Sequence, residues 1–113
     1  MLSSLRRLLA GPPSIDVAEL EARLAAGSIR VLDVREEHEY RSGHLPGAVN
    51  VPVKRLSARV DKLKRDKPYA VICASGSRSR GAAGFLLDEG FEGTVSVRGG
   101  TGAWARSGRP IVR

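Results

Sequence analysis

The chain has 113 residues, is 42% hydrophobic, carries a formal charge of +7 and contains a single cysteine, Cys73. That length holds one domain around one core and excludes two, while a lone cysteine excludes an internal disulfide framework and suits a reducing, cytoplasmic setting. The apolar runs fall far short of the roughly 18 residues of a membrane span. With only Trp104, Tyr40, Tyr69, Phe85 and Phe91 as aromatics, the basic charge points to steering of small anions rather than to nucleic acid.

In residues 1–13, Leu2, Leu5 and Leu9 share one helical face beside Arg6 and Arg7, ahead of the breakers Gly11-Pro12-Pro13. They read as a tail or short amphipathic helix before a domain spanning 14–113. A secretory signal is not expected, because no long apolar core follows the two arginines; an acid-free, Arg-bearing start is also the pattern of an organelle transit peptide. Asp16 then reads as an N-cap with Glu19 completing a capping box, and Val17, Leu20 and Leu24 share a face until Gly27 stops the helix. Strands are predicted at Ile29–Asp33, Ala48–Val51, Tyr69–Cys73 and Thr94–Val97. Helices are predicted at Glu36–Arg41, Lys54–Lys64, Arg80–Glu89 and about Gly102–Arg106. Such alternation implies an α/β fold with a central, mostly parallel sheet covered by helices on both faces. Ligands of such sheets bind beyond the C-terminal strand ends.

Cys73 falls at one of those ends. After Tyr69-Ala-Val-Ile-Cys73 come the small residues Ala74, Ser75, Gly76 and Ser77, then Arg78 and Ser79, and then a helical pattern. A run of this kind can curl into a cradle of inward amides with the Arg78 guanidinium at its rim. Gly76 permits the left-handed turn the cradle needs, and Ser79 reads as the helix N-cap. A free thiol titrates near 8.5 and falls to roughly 3.5–7.5 at helix N-termini or beside cations. A drop of about two units corresponds to roughly 2.7 kcal/mol of preference for the thiolate. A helix end supplies up to about 2 kcal/mol of that, leaving the loop amides and Arg78 to supply the rest. On the strand alone, Cys73 reads as a buried core thiol sooner than a reactive one; the loop that follows reverses that reading.

The blocks Leu32-Asp33-Val34-Arg35, Glu39-Tyr-Arg-Ser-Gly-His44-Leu-Pro46-Gly47-Ala-Val-Asn50, Cys73 to Ser79, and Gly99-Gly100-Thr-Gly-Ala-Trp104 with Gly108-Arg109-Pro110 stand in a fixed order and spacing. In this arrangement the chain after about residue 14 resembles the single-domain rhodanese-like sulfurtransferases. The resemblance implies their three-layer fold and a catalytic role for Cys73, which takes a sulfane sulfur from a small anionic donor, holds it as a persulfide and passes it to a thiol, protein or cyanide acceptor. Substrate binding is then expected from Ala74, Ser75, Gly76, Ser77 and Arg78, with no cofactor. Thiosulfate-using members often carry basic residues early in this loop, whereas Ala74 and Ser75 are neutral. A protein-bound or low-molecular-weight persulfide and mercaptopyruvate therefore stand beside thiosulfate as donors.

Other candidates read as structural. Asp33 and Arg35 are expected to hold the sheet edge, His44 lies in a turn set by Gly43, Pro46 and Gly47, and Trp104 anchors the last helix. Two distant histidines and one cysteine lack metal-ligand spacing. A dual-specificity phosphatase or arsenate reductase would also pair a cysteine with an arginine. The resemblance opposes that reading, since those enzymes use a loop one residue longer and the phosphatases commonly place His where Ile72 stands. A non-catalytic binding module, or a carrier that relays sulfur between proteins, are further readings of the same sequence.

Overall fold

The computed structural model describes residues 10–113, so residues 1–9 of the tail or helix expected at residues 1–13 lie outside the described residues. Among the described residues the strands are β1 (Ser14–Ile15), β2 (Arg30–Asp33), β3 (Val49–Asn50), β4 (Tyr69–Ile72) and β5 (Val95–Val97). They alternate with helices α1 (Val17–Ala25), α2 (Glu37–Ser42), α3 (Val53–Arg59), α4 (Ser77–Asp88) and α5 (Gly100–Arg106). The sheet runs in the order β1-β5-β4-β2-β3, and every pairing is parallel.

Alternation along β4 divides the interior in two. Tyr69 and Val71 join Leu32, Leu56, Ala82, Ala83 and Leu86 under α3 and α4. Ala70 and Ile72 join Leu20, Val31, Val97 and Trp104 under α1 and α5. Leu20, Leu32, Val71, Ile72 and Leu86 have essentially no accessible surface, and burial of each such side chain contributes roughly 1.5–3 kcal/mol. The predicted three layers therefore arise from a sheet apolar on both faces, which is why its strands read as continuous hydrophobic runs.

Several boundaries differ from the sequence expectation. The two-residue β1 was not anticipated; it is held at the edge by Ser96 N–H donating to the Pro13 carbonyl at 2.9 Å and Arg98 N–H to the Ile15 carbonyl at 2.8 Å. The single helix expected over Lys54–Lys64 tightens after Arg59 into a 3-10 turn, Val60–Lys62, because Leu63 is extended where the chain turns toward β4. Asp16 does cap α1, accepting from Glu19 N–H at 2.8 Å, but the Glu19 carboxylate turns to Arg23 at 2.6 Å. α4 begins at Ser77 and not at Arg80, so Gly76, at φ +108°, occupies the N-cap position expected of Ser79.

The β5–α5 turn presses on the end of β4. Thr101 N–H donates to the Cys73 carbonyl at 2.8 Å and Gly102 N–H to the Ala74 carbonyl at 3.0 Å. Gly100 makes this possible: its φ is +57°, and a Cβ there would overlap the Cys73 carbonyl oxygen and the Ala74 carbonyl group. Gly100→Ala is expected to destabilise the protein by roughly 2–4 kcal/mol in urea unfolding, since both the backbone conformation and the contact oppose a side chain. An equally stable variant would contradict this close approach.

Candidate active site

β4 delivers Cys73 to the C-terminal edge of the sheet, where the residue has no accessible surface. From there the chain circles back above the sulfur. Gly76 N–H donates to Cys73 Sγ at 3.1 Å and Ser79 N–H at 3.3 Å. A thiol buried only for packing is surrounded by carbon; this one faces two amide donors and the opening turn of a twelve-residue helix. Burial pushes the thiol up, but the Ser79 hydroxyl and the amides of Ser79, Gly76 and Ser75 outweigh it, and the net direction is below an ordinary thiol.

Ser79 has no accessible surface and is tied on its far side to Ser96, Oγ to Oγ at 2.8 Å, and to the Gly76 carbonyl at 3.1 Å. A hydroxyl carries one proton. With Ser96 donating to Ser79, that proton serves either the Gly76 carbonyl or the sulfur.

The residues of the loop divide by exposure. Ser75, Ser77 and Arg78 are exposed, Ala74 and Gly76 half-buried. The Arg78 guanidinium, 39% exposed, forms a two-pronged ion pair with Glu39, Nη1 to Oε1 at 2.7 Å and Nη2 to Oε2 at 3.0 Å. The sequence reading placed Arg78 at an open rim; instead its fork joins the loop to α2. Glu39 is itself fixed by the Glu36 N–H at 2.9 Å. The hydrogen bonds from Arg78 hold its carboxyl down at about 2 against partial desolvation, and the Glu36 amide adds to them.

Asp33 and Arg35, expected to pair with neighbours or backbone at the sheet edge, pair directly with each other. Arg35 Nη2 and Nε reach the Asp33 carboxylate at 2.8–3.1 Å, and Nη2 also donates to the Gly43 carbonyl at 2.7 Å. Both are buried, and Asn50 Nδ2 donates to the Asp33 and Arg35 carbonyls at 3.0 Å each. His44 stacks on Tyr40 at 3.7 Å, with Nδ1 at 2.8 Å from the Tyr40 carbonyl oxygen. Trp104 Nε1 donates to the Pro110 carbonyl at 2.8 Å. Among the described residues no cluster of three or more His, Cys, Asp or Glu side chains is arranged to hold a metal ion.

Sequence reasoning missed Glu39, Ser79 and Ser96 as members of the site. Ser79 carried a signal in its position six residues after Cys73, which was spent on the cap. Glu39 stands 39 residues from Arg78, and only the quoted Glu39-Tyr40 block hinted at it.

Two outcomes follow from this geometry. Alkylation of Cys73 by iodoacetamide, followed against pH, should give a midpoint below the roughly 8.5 of a free thiol, and Ser79→Ala should move it upward; an unmoved midpoint would remove Ser79 from the sulfur's environment. The Glu39 carboxyl, lowered from 4.5 to about 2 in the folded chain, contributes stability that is full above about pH 4.5 and lost as pH falls toward 2. With Arg78 part-exposed, the pair is worth about 1 kcal/mol. Glu39→Gln should thus melt earlier at pH 7 by that amount while losing less than the parent between pH 4.5 and 2.

The Rhodanese-like domain family matches residues 16–107. A sulfurtransferase of Allochromatium vinosum is 34% identical over 99 residues, covering 87% of this chain and 92% of its own. The crystal structure of a rhodanese-related protein from Thermoplasma volcanium superposes with a TM-score of 0.83 at 40% identity, covering 88% of this chain and 97% of its own. A thiosulfate sulfurtransferase from Pseudomonas aeruginosa superposes with a TM-score of 0.82 at 28% identity, with 99% of this chain matching 22% of that one. With its parallel sheet, its cysteine at the end of the middle strand and a family match over most of its length, the chain belongs to the rhodanese-like domain family.

Proposed function

We propose that residues 14–113 form a thiosulfate-type sulfurtransferase, working in a reducing cytoplasmic setting, in which Cys73 is the nucleophile and the carrier of the transferred sulfur. The observation that carries this reading is the pair of amides, Gly76 and Ser79, donating to Cys73 Sγ. The names of the sulfurtransferase relatives support the same class.

The Cys73 thiolate attacks the outer sulfur of a thiosulfate-like donor. The sulfur–sulfur bond of the donor breaks, sulfite departs with the electron pair, and Cys73 is left as a persulfide. Both the departing anion and the persulfide carry negative charge where the loop amides of residues 74 to 78 and that of Ser79 are concentrated. An acceptor thiolate then attacks the outer sulfur, forming its own persulfide and returning Cys73 to the thiolate; with cyanide the product is thiocyanate. Since the chain has one cysteine, discharge through an internal disulfide has no partner, and a two-stage cycle with an outside acceptor results.

Arg78 orients the donor without leaving Glu39. A guanidinium has five N–H donors, and Glu39 accepts one from each terminal nitrogen, so the remaining N–H groups are free to meet a sulfonate oxygen. The neutral Ala74 and Ser75 make Arg78 the sole cation of the loop itself, which keeps persulfide donors and mercaptopyruvate in view beside thiosulfate.

Mass spectrometry after mixing with thiosulfate should record a gain of one sulfur atom on Cys73, absent in Cys73→Ser. Arg78→Ala should reduce donor kcat/KM by about tenfold or more, the value of one charge-assisted contact, while costing only about 1 kcal/mol in unfolding. Cys73-dependent turnover of an aryl phosphate without any sulfur gain would replace this reading with a phosphatase.

A further inference from the structure

A second feature adjoins the sulfur loop. A groove of about 430 Å³ runs between β1, the C-terminal end of β5 and the first turn of α4, and it shares Ser75 and Gly76 with the loop around Cys73. Arg80 and Arg98 both line it, together with Ser14 and Ser96. Its volume lies in the range of small-molecule sites, about 300–1,000 Å³.

Among the described residues the two arginines of the groove have no carboxylate partner, whereas Arg78 next door is neutralised by Glu39. Arg98 is held in place by Ser14, Nη1 donating to its hydroxyl at 2.8 Å and its carbonyl at 3.2 Å, which leaves Nη2 and Nε unspent. The Arg80 guanidinium lies over Gly11, where a Cβ would come within 2.5 Å of Nη2. A side chain at position 11 would collide with this guanidinium. Two guanidinium groups on one groove, that of Arg98 fixed by Ser14, match a carboxylate, which accepts paired N–H donors.

We propose that this groove is the subsite for the carboxylate-bearing tail of a low-molecular-weight thiol that accepts sulfur from Cys73. The assignment rests on the sulfurtransferase reading and extends it to the acceptor. A thiosulfate-sized donor reacts at the loop and has no remaining part to occupy 430 Å³ beside it, whereas an acidic thiol can place its sulfur at Cys73 and its carboxylate between Arg80 and Arg98. The transfer balances as before: the acceptor thiolate takes the outer sulfur of the Cys73 persulfide as its own persulfide, and Cys73 leaves as the thiolate.

The test separates the two half-reactions in 0.15 M salt, where charge effects beyond about 8 Å are screened. Protein loaded from thiosulfate and freed of excess donor is discharged with mercaptosuccinate or with neutral 2-mercaptoethanol. Each variant is judged by its rate relative to the parent for the same thiol, which cancels differences in thiol reactivity. Arg80→Gln is the cleaner variant, because Arg80 has no hydrogen-bond acceptor among the described residues; Arg98→Gln also loosens β1 through Ser14. Either is expected to slow mercaptosuccinate about three- to tenfold, the size of one or two exposed charge-assisted contacts, and to leave 2-mercaptoethanol within about twofold.

Equal slowing of both thiols, or no slowing, overturns the subsite. So does an equal slowing of loading by thiosulfate, a dianion like mercaptosuccinate, since long-range attraction would then explain the loss. If the parent takes up no sulfur at all, the sulfurtransferase reading fails by itself. The groove is then judged by calorimetric binding of S-methylmercaptosuccinate: binding lost in Arg80→Gln upholds a carboxylate site, and unchanged or absent binding overturns it.

Discussion

The hydrogen bonds from the Gly76 and Ser79 amides to Cys73 Sγ are the interaction on which the rest of the site depends. They exist only because the chain reverses within three residues of the strand end and begins α4 at once. Gly76 at φ +108° performs that reversal, a conformation costly for any residue with a Cβ. An unpaired amide at a helix start needs an acceptor, and here the sulfur serves as one. Local backbone demand and the electrostatic demand of the thiol are satisfied by the same contacts.

Around this centre, each neighbouring strand end contributes a fastening. β5 supplies Ser96, which fixes Ser79 from behind, and its following turn clamps the Cys73 and Ala74 carbonyls through Thr101 and Gly102. β2 supplies the buried Asp33–Arg35 pair, whose extra bond to the Gly43 carbonyl sets the end of α2, and α2 carries Glu39 to Arg78. The buried pair costs desolvation that its geometry must offset, so its use is in fixing the position of α2 more than in adding stability. The loop is therefore held by three elements distant in sequence. An arginine that looked like a free rim cation is part of that framework.

What could be read in the sequence follows the strength of the apolar pattern. β2, β4, β5 and α1 were legible because their side chains enter a core: Val31-Leu32 and Tyr69 to Ile72 are continuous apolar runs buried on both faces of the sheet, and Leu20, with Val17 and Leu24, marks the apolar face of α1. The start of α4 was not, because Ser77 to Arg80 carry no apolar signal and the helix periodicity begins only at Ala82 and Ala83. Two-residue β1 lies below the length at which alternation means anything, and its place is set by β5. Within the site, Cys73 and its small-residue loop were visible as composition. The Glu39 and Ser96 contacts were invisible, since they join residues that only the sheet order brings together.

Burial of Cys73 and its proposed reactivity appear opposed, yet the division of the loop reconciles them. The inner donors are fastened: Ser79 is bonded to Ser96 and the Gly76 carbonyl, and Gly76 approaches the Gly99 amide so closely that a Cβ would stand 3.3 Å from it. The outer residues Ser75 and Ser77 are exposed and small, so the path to the sulfur is obstructed by little mass and few contacts. A well-fastened floor keeps the amides aimed at the sulfur, and the rim above it is lined by small side chains. In the proposed cycle the sulfur added to Cys73 stands about 2.05 Å beyond Sγ. On the proposed reading, the transferable atom is then one bond removed from the fixed floor, and an acceptor meets it there and not at Sγ itself.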